Sequence, residues 1–149
     1  MEDALYEDEE EWRSVPSKPG LRASSWGRLW LPERRVVTVT GKVKIWRTKP
    51  RLGCIKLSRK TNSHQYRGIN TAEWGNIKVH QAVCESFHGP KPHPEALVLH
   101  LNEDGLCNRW DNLRWGTHEE NMQFPGYLER CRARYNEDHP FWKRRNGKL

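Results

Sequence analysis

The sequence predicts an α+β fold in which a β-rich, basic N-terminal region leads into a helix, two short strands and a second, capped helix. Three observations carry that reading. Residues 12–76 hold short β-branched runs broken by turn residues. Residues 77–88 place apolar side chains at helical spacing. Beyond them, two short apolar runs flank a long polar loop and end at a helix-start signature.

Residues 1–11 read as an acidic, disordered tail, because charge of one sign with few apolar residues gives nothing to pack. In the extension, residues 12–76, the β-type runs are Gly27–Trp30, Val36–Thr40, Lys42–Trp46 and Cys54–Leu57. Gly41 separates two of them and Gly53 precedes another, which favours twisted hairpins. Lys and Arg alternate with the β-branched residues, so an antiparallel sheet would turn an apolar face one way and a basic face the other. That basic face suits phosphates and equally suits plain solvation.

The helix at 77–88 buries one stripe formed by Val79, Ala82, Val83, Ser86 and Phe87, and Gly89-Pro90 ends it. A Pro-containing loop over 91–96 leads to the strand Leu97–Leu99. Residues 102–111 form a polar loop before the strand Leu113–Trp115. Thr117-His118-Glu119-Glu120 reads as a capping box, with Thr117 at the N-cap and Glu120 three residues on. Pro125 limits that helix. A basic helix over 126–135 and a basic tail close residues 125–149.

Composition narrows the function classes. Only 35% of the residues are hydrophobic and mean hydropathy is −1.00, but eight Trp supply large rings for a core. The apolar runs are far too short for a membrane span, and the acidic start lacks the pattern of a signal peptide, so an intracellular, cytoplasmic protein is expected. The four cysteines form no C-x-x-C pair, and free thiols are expected in a reducing compartment. Net charge is +7, yet residues 1–12 contain seven acids and no base. The remainder sets 12 acids against all 26 Lys and Arg, an excess of 14 positive charges. A body so basic points to a polyanion, nucleic acid above all.

The stretch from Val98 to Asn121 carries the chemistry. His100 ends one strand, Asn112 opens the next, and Asn121 lies on the capped helix. Val79-His80 and Phe87-His-Gly-Pro-Lys-Pro lead into it, and Asp111-Asn112-Leu-Arg-Trp-Gly-Thr with Glu120-Asn121 closes it. Over about residues 77–124 the chain resembles the HNH endonuclease family, most of all its phage and mobile-intron, homing-type branch. The resemblance implies a ββα-metal core over 77–124 and cleavage of double-stranded DNA. It implies His100 as general base, Asn112 as the residue that orients and polarises it, and Asn121 as a metal ligand.

Those residue types suit the reaction. Phosphodiester hydrolysis needs a base that works near neutral pH, which imidazole supplies, and a cation for the developing charge. Oxygen donors favour Mg²⁺, with Mn²⁺ as a substitute. One position departs from the family. Many HNH sites carry Asp, Asn or His just before the catalytic His, whereas here Leu99 offers no donor. His118, three residues before Asn121, would add a nitrogen donor, and Glu120 or Asp104 an oxygen. Arg109, Arg114, Arg130, Arg132, Arg134, Lys143, Arg144 and Arg145 are the candidate phosphate contacts.

Plainer roles stand beside these. Asn112 is also a turn-former, His118 a helix-start residue, and His80 a packing or bracing residue, while Trp110 and Trp115 suit the core. Two other readings stay open. One is a DNA-binding protein on a catalytically degenerate HNH scaffold, favoured by Leu99. The other is a zinc-stabilised interaction module using Cys107, Cys131 and nearby His.

Overall fold

The computed structural model describes residues 9–57 and 65–134, with side chains given up to Glu129. Among the described residues, ten strands and three helices alternate in small units, an α+β arrangement. Strands β1 (Trp12–Ser14), β2 (Arg22–Ser24) and β3 (Leu29–Trp30) form an antiparallel meander. Among the described residues, strands β4 (Arg34–Val37) and β5 (Val43–Trp46) pair only with each other. Strands β6 (Cys54–Leu57), β7 (Gln65–Thr71) and β8 (Gly75–Lys78) make a second meander. Helix α1 (Val79–His88) follows β8 directly. Strands β9 (Leu97–His100) and β10 (Leu113–Gly116) form an antiparallel hairpin, with a 3-10 turn at Trp110–Asn112 inside its loop. Helices α2 (His118–Met122) and α3 (Pro125–Arg134) complete the described chain.

Helix α1 is the hub of packing. Its Val79, Ala82, Val83 and Cys84 are buried against Val15, Leu21, Ala23 and Leu29 of the first meander, Ile69 and Ile77 of the second, and Leu113 of β10. One cluster therefore joins the N-terminal extension to the region from α1 onward. The expected helical stripe is present, but Ser86 and Phe87 are only half-buried, and Cys84 takes the fully buried place. Burial there pushes the Cys84 thiol up to about 12, which marks it as packing and not as a nucleophile. Ser86 instead donates to the Ala82 carbonyl at 2.9 Å.

Several elements differ from their sequence-based expectations. The run expected at Val36–Thr40 begins earlier, at Arg34, and ends at Val37, because Thr38 closes the turn. Its amide donates to the Lys42 carbonyl at 2.8 Å, and its hydroxyl accepts from the Lys42 amide at 3.1 Å. Strands β1, β2, β7 and β8 were not anticipated, since Arg, Ser, Gln and Asn interrupt the apolar alternation that marks a strand. Residues 1–8 lie outside the described residues. The end of the acidic stretch, however, is tied to the body. The Glu11 amide donates to Ser25 Oγ at 3.0 Å, and Arg28 Nε donates to Glu10 Oε1 at 2.9 Å. Burial alone would raise the Glu10 carboxyl, but bonds from Arg28 and Ser24 and the Arg28 charge outweigh it and hold it below its ordinary value.

Thr117 caps α2 as its spacing predicts, with Oγ1 accepting from the Glu120 amide at 3.2 Å. Glu120 departs from the reciprocal half of a capping box, because its carboxylate pairs with Arg114 Nη1 at 2.7 Å. Thr117→Ala should cost about 1 kcal/mol, read as a lowered midpoint in thermal unfolding. A variant as stable as the native chain would show that packing alone holds this five-residue helix. Pro125 both ends α2 and opens α3, where its missing N–H is harmless.

Candidate active site

His100 is the last residue of β9 and is half-buried. Consecutive strand residues face opposite sides, so Leu99 and His100 point apart. Leu99 is fully buried and lies over Gly116, whose missing side chain leaves it room. Across the hairpin Leu99 opposes Arg114, and His100 opposes the buried Leu113.

Asn108 and His80 meet the His100 ring. Nε2 lies 3.0 Å from Asn108 Oδ1. An amide oxygen only accepts, so this contact places the proton on Nε2. The His80 ring stands edge-on to His100 with centroids 5.5 Å apart, and Tyr66 stands edge-on to His80 at 6.3 Å. The bracing role expected of His80 is the one it plays.

The family resemblance implied Asn112 as the residue that orients His100; the amide that the structure places against the ring is that of Asn108. Asn112 Nδ2 donates to Asn102 Oδ1 and to the Cys107 carbonyl, both at 2.9 Å, and its Oδ1 accepts from the Asn102 amide at 3.0 Å. Both ends of that amide are thus spent on closing the loop, the turn-forming role. Asn108 is buried, at 4% exposure, and its signal lay in the sequence. It is a polar residue eight positions beyond the histidine, at the far side of a loop that must fold back on the strand end.

The loop is built to present Asn108. Asp104 Oδ1 accepts from the Leu106 amide at 3.0 Å, so this carboxylate shapes a turn. Glu103 adopts a left-handed φ of 61°, and its carboxylate accepts from the Gly126 amide at 3.0 Å at the start of α3. On the N-terminal side, the Trp110 amide donates to the Ser25 carbonyl at 3.0 Å. Gly27, between β2 and β3, abuts Asn108 so closely that a Cβ there would lie 2.7 Å from the Asn108 carbonyl oxygen. The first meander is thereby a wall of the site.

The other candidates are spread around this centre. His118 and Asn121 sit on α2, His118 exposed and Asn121 half-buried. Glu120, between them in sequence, has its carboxylate on Arg114 Nη1. Among the described residues no group of three His, Cys, Asp or Glu converges as a metal site. Cys107 carries a free thiol, and the Cys131 side chain lies outside those described. Arg109 pairs with Asp111 at 3.3 Å and Arg114 with Glu120, so both guanidinium groups already have carboxylate partners. Arg130, Arg132 and Arg134 belong to α3, with side chains beyond those described, and Lys143, Arg144 and Arg145 lie outside the described residues. Trp115 packs against the core cluster as expected. Trp110 does not. It is exposed and stacks on Phe87, with centroids 6.1 Å apart, because the 3-10 turn swings it outward.

The candidate site is thus a strand ending in histidine, a loop folded back onto it, a second strand and a capped helix. A family model for HNH endonucleases matches residues 78–123. No curated protein matches the sequence. A solved structure of DNA binding and cleavage by the HNH homing endonuclease I-HmuI resembles it at 19% identity and a TM-score of 0.43, over 84% of this chain and 66% of that one. The chain thus spans just under two thirds of that protein's chain. No described helix is long and apolar enough to cross a membrane.

Proposed function

We propose that this chain is a metal-dependent endonuclease that hydrolyses phosphodiesters of double-stranded DNA, with His100 as the general base. The observation that carries the reading is the 3.0 Å contact between His100 Nε2 and the buried Asn108 amide oxygen. A surface histidine needs no such partner, whereas a base needs one tautomer and one ring orientation. The His100 imidazole takes a proton from the attacking water, and the resulting imidazolium is stabilised by Asn108. His80 holds the ring from the other side.

HNH nucleases generally use a divalent ion, and here Asn121, Glu120 and His118 on α2 would hold it. Oxygen donors favour Mg²⁺, with Mn²⁺ as a substitute. The ion would offset the charge that develops on the phosphate and the leaving oxygen. Glu120 becomes available to it when a phosphate competes for Arg114. Arg109, Arg114 and the basic residues of α3 and the C-terminal tail, Arg130, Arg132, Arg134, Lys143, Arg144 and Arg145, would position the backbone without reading bases.

The test is cleavage of supercoiled plasmid with Mg²⁺, Mn²⁺ or EDTA. Metal-dependent nicking or linearisation supports the reading. Tight binding with no cutting of plasmid or genomic DNA in any metal would favour a binding-only protein, to which the buried, donor-free Leu99 also points. Asn108→Ala should lower the single-turnover rate by about 10–100-fold with little change in DNA affinity, as losing the partner of a functional imidazole does. An unchanged rate would remove Asn108 from the mechanism.

A further inference from the structure

His100 and helix α3 are joined through one residue. The Glu103 amide donates to the His100 carbonyl at 3.0 Å, closing a turn immediately after the candidate base. The Glu103 carboxylate accepts from the Gly126 amide, at 3.0 Å to Oε1 and 3.3 Å to Oε2. Glu103 thus holds the turn of His100 by its backbone and the start of α3 by its side chain.

Local chemistry explains why α3 takes its cap from a distance. The first amides of a helix have no acceptor within the helix. Phe124, just before α3, has no side-chain oxygen, Pro125 has no N–H, and the first turn holds no acid. Gly126 therefore takes an acceptor from elsewhere, and a carboxylate also suits the positive end of the helix. Gly126 leaves room for it, since a Cβ there would lie 2.6 Å from Glu103 Oε1. The arrangement costs something in the backbone. Among the described residues, Glu103 alone of the non-glycines has a positive φ, 61°, a conformation that a side chain disfavours. Glycine would fit this turn better, so the turn gives no reason for a glutamate. The contact with α3 gives one.

We propose that Glu103 is a positioning residue. It latches α3 to the His100 turn, so that a DNA backbone gripped by α3 presents its phosphodiester to His100 at a fixed distance. The inference rests on the reading of the chain as a nuclease and of α3 as a phosphate-contacting helix. Glu103 acts on the reaction through the place it gives His100 relative to Arg130, Arg132 and Arg134 of α3.

The experiment compares full-length Glu103→Gly, Glu103→Ala and Glu103→Gln with the native chain. Amide hydrogen exchange, thermal unfolding, duplex affinity and single-turnover nicking of supercoiled plasmid in Mg²⁺ or Mn²⁺ are the readouts. The Gly126 amide should be protected in the native chain and in Glu103→Gln, whose amide oxygen still accepts, and should exchange freely in the other two. Glu103→Gly should unfold near the native midpoint, because relief of the turn offsets the lost bond. It should nevertheless cut about 10–100-fold more slowly, since a misplacement of about 1 Å costs on that order. Its duplex affinity should hold, because no phosphate contact is lost. Glu103→Ala keeps the strained turn without the latch, and should be both slow and less stable. Glu103→Gln should cut at the native rate. A merely structural residue would leave the rate of Glu103→Gly native along with its stability. Equal exchange at Gly126 in all four chains overturns the latch, whether or not the chain cuts DNA. Free exchange in Glu103→Gly with a native cutting rate overturns the positioning role and leaves the nuclease reading standing. A native chain that cuts neither plasmid nor genomic DNA in either metal overturns the nuclease reading, and the positioning role with it.

Discussion

His100→Ala should lower cleavage by about 10²–10⁴-fold, the usual contribution of a positioned general base, while duplex affinity and thermal stability stay near those of the native chain. The separation of these effects follows from where the side chain lies. His100 is half-buried at a strand end, and its backbone bonds to β10 survive truncation. The loss is therefore a proton acceptor with its contacts to Asn108 and the His80 ring, with no large core volume removed. Burst or single-turnover rates with plasmid substrate and anisotropy with a labelled duplex measure the two quantities independently. Cleavage retained at more than about a tenth of the native rate would mean that another group deprotonates the water, since a missing base costs more than that. A parallel loss of binding or of fold would mean that His100 is structural.

Much of this centre was legible in the sequence because its signals are local. The α1 stripe, the strand that ends at His100, the strand that opens at Leu113 and the Thr117 cap each follow from periodicity or capping within a few residues. What escaped depends on long-range pairing. The strands of the two meanders carry Arg, Ser, Gln and Asn in place of clean alternation, and they are strands because neighbours pair with them. Asn112 and Asn108 lie four residues apart in one polar loop, and sequence spacing does not say which amide folds toward the histidine. Trp110 looked apolar enough for the core, yet its place in the 3-10 turn sends it outward. Glu120 fits a capping-box pattern, but Arg114 across the gap competes better for its carboxylate. In each case a residue with two local options was decided by a partner far away in sequence.

Gly27→Ala should damage stability and catalysis together, although Gly27 precedes His100 by 73 positions. Gly27 has φ +88°, a left-handed conformation that costs an L-residue roughly 1–2 kcal/mol. The added methyl would also lie 2.7 Å from the Asn108 carbonyl oxygen and 2.9 Å from its Cβ. Those are buried atoms of a loop that three Asn112 bonds hold in place. Relief requires the β2–β3 turn or the Asn108 loop to move, and the total cost should reach about 2–4 kcal/mol, the range of an overpacked core. Any shift of Asn108 is passed to the His100 ring, and a misplacement of about 1 Å can cost on the order of 10²-fold in rate. Gly75→Ala separates the two causes. Gly75 also has a positive φ, +67°, but nothing lies within 4 Å of its added Cβ, so it should pay the conformational cost alone and keep its activity. Thermal unfolding and single-turnover cleavage of both variants decide the matter. If Gly27→Ala is no less stable than Gly75→Ala and cuts as fast, the N-terminal meander is a neighbour of the active site and not one of its walls.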